Sequence, residues 1–126
     1  MNQAIDAEAA WRWIAQEYER PGRAAELLRA QDEEGLDVVL HLFAQYAREE
    51  LGIALDAAAL AEADALLRGW REEVIVPLRT VRRRLKEKPA PGAGSGDGTL
   101  RPLVQQAELR AERVALEALC DWLKQR

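Results

Sequence analysis

Apolar positions along this chain recur at steps of three and four, a period that predicts helices from end to end. The first helix is expected over about Asp6–Glu19, with Asp6 as its cap and Ala10, Trp13, Ile14 and Tyr18 on one stripe. Trp11 lies off that stripe, so this helix is read as touching neighbours on two sides. Pro21-Gly22 stops it, because proline disfavours helix in the residue before it. A second helix follows over about Arg23–Glu33, with Leu27 and Leu28 turned inward, and Gly35 supplies its left-handed C-terminal cap. The next stretch, GLDVVLHLF at Gly35–Phe43, opens a third helix over about Val38–Leu51, capped by Asp37. Val38, Val39, Leu40, Leu42, Phe43 and Tyr46 cover most of its circumference. A helix without a polar face belongs at the centre of a bundle.

Gly52 ends that helix and Asp56 begins another, in which Leu60, Ala63, Leu67 and Trp70 share one side. Pro77 then falls inside WREEVIVPLRTVRRRLKEK, where it should kink the helix or restart it. The apolar set Trp70, Val74, Leu78, Val81 and Leu85 keeps its spacing across the proline, which favours one bent element. Residues 88–98, KPAPGAGSGDG, read as a flexible Gly/Pro-rich linker inside a single domain of residues 1–126. The last helix, about Leu100–Lys124, carries two apolar rows. Val104, Ala107, Ala111, Val114 and Ala118 form one; Leu109, Leu116, Leu119 and Leu123 form the other. One of these rows is spare for a partner unless the helix packs between others. The pattern as a whole predicts an all-α, single-domain bundle of five or six helices around a buried central one.

Composition agrees with this and adds little. A chain of 126 residues with 48% apolar and 32% charged positions is an ordinary soluble domain. It is long enough to bury about two-thirds of its unfolded surface without a staple. The lone Cys120 has no disulfide partner in the chain, and Asp6, Glu8 and Arg12 break any apolar start. No stretch approaches the ~18 uncharged residues of a membrane span. The expectation is a reduced, cytoplasmic protein with no membrane partner.

Charge changes the picture more. The first 69 residues hold 14 acids and 6 bases, a net of −8. Residues 70–88 hold 3 acids and 7 bases, a net of +4, and the remainder balances at 5 and 5. An acidic body thus carries one basic helix. Its ridge of Arg79, Arg82, Arg83, Arg84, Lys86 and Lys88 is the one sharp candidate for binding. Such a ridge can neutralise phosphates, which would make residues 79–88 a site for nucleic acid or a phosphorylated ligand. No aromatic platform interleaves with it. The competing reading pairs Arg79, Arg82 or Arg83 internally with Glu108 and Glu112, one turn apart on the last helix.

Other chemistry lacks its parts. His41 stands four residues after Asp37, a spacing compatible with metal ligation, but Asp37 is explained as a cap and no second histidine or cysteine pair completes a ligand set. His41 is therefore read as buried or half-buried within the bundle. Ser95 lies in the linker with nothing to hold it against a base. Cys120 has no histidine or cationic pocket beside it and is read as structural. No catalytic set, metal or cofactor is indicated. An enzyme would have to work through carboxylates and arginines, for example around Asp32, Asp37 and Arg79.

Four segments in order carry a likeness: PG at 21–22, LLRAQDEEGLDVVLHLF at 27–43, PLRTVRRRLK at 77–86 and AELRAERV at 107–114. Together they resemble a family of short, helical, uncharacterised bacterial proteins, a domain of unknown function. Gln31, Asp32, Gly35, Asp37, Phe43, Trp70, Pro77, Leu78, Arg79, Arg82, Glu108 and Glu112 sit at the matching positions. The resemblance implies a helical fold and a cytoplasmic compartment and brings no established activity. The favoured expectation is a noncatalytic adaptor or regulatory subunit. It would meet a protein partner, or a second copy of itself, through the basic helix and the spare row of the last helix.

Overall fold

The structure, a computed structural model, describes residues 5–88 and 97–126. Among them the chain runs α1 (Ala7–Tyr18), α2 (Arg23–Glu34), α3 (Val38–Glu50), α4 (Ala57–Trp70), a π-helical turn (Arg71–Ile75), α5 (Val76–Glu87) and α6 (Asp97–Gln125). No strand occurs among the described residues, and the fold is an all-α bundle. None of the described helices is long and apolar enough to cross a membrane.

Local chemistry sets the helix ends. Three aspartates cap α1, α3 and α4: Asp6 accepts from the Glu8 N–H at 3.1 Å, Asp37 from Leu40 at 3.1 Å and Asp56 from Ala59 at 2.8 Å. Gly35 takes φ 69° and lets the Leu36 N–H reach back to the Ala30 carbonyl at 3.2 Å, which closes α2. Nothing crowds its position, so glycine is required there by conformation and not by space. At Pro77 the helix neither breaks nor restarts. The π-helical turn precedes it, with the Val76 N–H bonded to the Arg71 carbonyl, and widens the helix just where proline withholds a donor. Residues 57–87 therefore form one continuous rod.

The core shows where single-chain periodicity misleads. The third helix is not apolar on every side: Val38, Val39, Leu42, Phe43, Tyr46 and Ala47 are buried along half its circumference. Leu40 is half-buried, and His41 and Arg48 are exposed on the outer side. His41 is thus a surface residue rather than a core one. The centre is shared with α6, which touches every helix except α2, while α3 touches every helix except α5. On α6 the buried stripe runs between the two expected rows: Glu108, Ala111, Ala115, Leu116, Leu119, Cys120 and Leu123 face inward. Val114 and Leu109, outer members of each row, face solvent. Tryptophans tie the rods together. The Trp70 indole donates to the Ala111 carbonyl at 2.9 Å, and Trp122 donates to Glu62 at the same distance.

α2 is the loosest element. Only Leu27 and Ala30 of its side chains are buried, and its backbone lies close to α1 and α3 alone. Leu28, expected inward, is 44% exposed, because no helix covers that side. The Gly/Pro-rich linker expected at 88–98 lies, from 89 to 96, outside the described residues. Its end differs from expectation, since Asp97 and Gly98 already belong to α6.

Candidate functional site

Because α2 and α6 make no contact with each other, a slot opens between them, floored by α1 and α3. Its cavity of about 500 Å³ is walled by Trp11, Ile14 and Ala15 of α1, Leu28 of α2, Val38, Val39 and Leu42 of α3, and Leu109 of α6. Leu28 and Leu109 stand on opposite rims, 44% and 47% exposed. A smaller cavity of about 180 Å³ continues from it past Gln31, Val38, Val39 and Glu112, which line both, toward Asp37, Arg71, Ile75 and Arg79. The segments 27–43, 77–86 and 107–114, far apart in sequence, meet around this one crevice.

Polar groups gather at its inner end. Glu108, buried on α6, accepts from Arg79 Nε at 3.2 Å and from Arg82 Nε at 2.5 Å, with Arg82 Nη2 at 3.4 Å. Two arginines on one carboxylate hold α5 against α6, where α5 has no buried side chain of its own. The hydrogen bond to Glu108 is also the main reason the Arg82 pKa stands above its ordinary value. Arg83 pairs with Asp32 of α2, a contact across the end of the slot.

The outer part of the basic ridge behaves differently. Arg84 reaches the Lys88 carbonyl at 3.3 Å, and Lys86 has no acidic partner among the described residues. Both are exposed, and they line neither cavity. The ridge read from sequence is therefore divided. Arg79, Arg82 and Arg83 are engaged within the fold, and only its end is free to meet an external anion.

Glu112 does not join the pairing with Arg79 and Arg82 that its position one turn from Glu108 suggested. No described residue forms an ion pair or hydrogen bond with it. Burial pushes its carboxyl up to about 7, with Glu108 adding to the rise and Arg79 opposing it. Tyr18, beside it in the slot, is raised to about 12 by burial, then by the charge of Glu112.

A pH dependence follows. Below about pH 4.5 Glu112 is neutral in both states. As pH rises toward 7 the unfolded chain ionises first, so stability falls until the native carboxyl ionises too. Glu112→Gln is expected to match the wild type near pH 4.5 and to exceed it by about 3 kcal/mol at pH 8. Urea unfolding at the two pH values measures the difference.

Two further clusters were not legible in the sequence. Arg71 bridges Asp37 and Asp64, at 2.5 Å and 2.9 Å, so Asp37 serves as helix cap and ion-pair partner at once. Glu17, buried on α1, meets Arg20 at 2.9 Å and accepts from Gln45 at 3.3 Å. The only sequence signal for either was an acid set within an apolar helical stripe or at a cap. Cys120 is buried, and burial pushes its thiol up to about 11, so thiolate is scarce at neutral pH. Among the described residues no group of three or more His, Cys, Asp or Glu side chains is placed to hold a metal ion.

A family model described as a protein of unknown function, DUF2390, matches residues 9–119, a span that contains every wall of the slot. No curated protein and no solved structure matches the chain. The chain belongs to the DUF2390 family.

Proposed function

We propose that this protein is a noncatalytic, cytoplasmic binding module that receives an amphipathic helix of a partner protein in the slot between α2 and α6. The observation that carries this reading is an apolar cleft of about 500 Å³ with exposed leucines on both rims. Isolated exposed leucines are common, but leucines lining an open groove are what a helix-in-groove interface uses. The dimensions suit it. The α1 wall from Trp11 to Glu19 and the α6 wall from Gln105 to Glu112 run for about 10–12 Å, two turns of an incoming helix. The expected surface thus moves from the basic helix to the slot, with Arg82 at its edge.

The internal engagement of Arg79, Arg82 and Arg83 argues against nucleic acid, since those charges already face carboxylates. A photoreactive residue placed at Leu28 or Leu109 in native cells should capture one discrete, identifiable protein. The same group at Leu66, exposed but outside the slot, should not. Equal capture from all three positions, or none, overturns the reading. So does dimerisation abolished by Leu109→Arg, which would place a second copy in the slot. RNA binding that survives moderate salt would return the basic ridge to first place.

A further inference from the structure

The slot is apolar along its walls, yet its acids are not balanced evenly. Glu108 carries two arginines, while Glu112, one turn along α6, and Glu19, at the α1 end, have no cationic partner among the described residues. A half-buried carboxylate facing an apolar groove is poorly solvated, and its free energy falls most when a cation is brought to it out of water. Arg79 and Arg82 act on Glu112 only through space, since both are bonded to Glu108 and neither bonds to Glu112.

We infer that the helix occupying the slot carries a lysine or arginine within its apolar stripe and sets that charge against Glu112. This rests on the docking reading above and adds to it the chemistry of the partner: apolar residues at helical spacing, interrupted once by a base. Charge complementarity makes the base a selector, since a helix with an acid there would set like charge against Glu112. The selection depends on pH. Glu112 is faced by Glu108 from its own helix, Arg79 and Arg82 from α5, Asp37 from the start of α3 and Tyr18 from α1. The Glu112 carboxyl stands at about 7, so acidification to pH 6 protonates it and weakens its hold on a base.

The test uses the full chain and three fluorescent 16-residue alanine-based helical peptides with one leucine stripe. The central stripe position is lysine, norleucine or glutamate, and binding is read by anisotropy at pH 8 and pH 6. The lysine peptide should bind about tenfold tighter than the norleucine peptide at pH 8, and the glutamate peptide weakest. That preference should shrink at pH 6 and disappear in Glu112→Gln. The Glu112→Gln variant should still bind the norleucine peptide, which also reports that the variant is folded. If norleucine or glutamate binds as tightly as lysine, or the lysine preference survives Glu112→Gln unchanged, the inference falls and the docking reading stands. If the preference is the same at pH 6 and pH 8, Glu112 is not its source. If no peptide saturates, or Leu109→Arg leaves binding intact, the docking reading falls as well.

Discussion

Replacing Glu108 with glutamine should destabilise the protein by about 3 kcal/mol in urea unfolding and create an affinity for RNA at low salt. Both effects follow from a single geometry. Glu108 is 5% exposed and takes hydrogen bonds from two arginines, so its loss strands their charges with their solvent contact still restricted. Removing one partner of a buried pair costs more than removing the whole set. The triple variant with Arg79→Met and Arg82→Met should therefore recover most of the lost stability. The RNA arm probes the same charges from outside. Freed from Glu108, Arg79 and Arg82 would extend the exposed pair Arg84 and Lys86 into a continuous ridge, and its binding should fall steeply as salt rises. A loss below about 0.5 kcal/mol would instead class the pairs as solvent-screened surface contacts, the usual value for exposed ions.

The sequence was most informative where structure is decided by neighbours a few residues away. The aspartates before α1, α3 and α4 cap through their own side chains, and the left-handed turn at Gly35 needs no partner from elsewhere. Continuity through Pro77 could likewise be inferred, because the apolar spacing survives it, although the π-helical turn that accommodates the ring could not. Faces were harder. Helical periodicity locates an apolar stripe but cannot say how far the next helix reaches around it. Leu28 was misassigned for that reason: it belongs to the apolar side of α2, yet α6 stands away from that side and leaves it open.

The site was half legible. The carboxylates and arginines of α5 and α6 stood out by charge and spacing, but which of them meet depends on the rotation of two long helices. Glu108 points between Arg79 and Arg82, while Glu112 turns toward the crevice. Asp37 was recognised as a cap, but its second oxygen binds Arg71, 34 residues away, and no local pattern encodes that. The slot itself is an absence of packing between α2 and α6, and sequence periodicity has no term for a helix that fails to arrive.

Truncating Phe43 to alanine should have the largest effect of any single core change, about 4 kcal/mol, with a fall in Tm on the order of 12 °C. Phe43 is fully buried on the inner arc of α3, the helix that meets α1, α2, α4 and α6 together. Its ring cannot be replaced by a small shift, because a movement that fills the hole toward one helix opens a gap toward another. Leu40→Ala offers the internal comparison. Leu40 is half-buried at the edge of the same arc, where neighbours and solvent can close over the loss, and about 1 kcal/mol is expected. A ratio near four between the two, measured by urea unfolding at one pH, is the signature of a helix buried along one side. Equal losses would mean that α3 is enclosed all round, the Leu40 side included.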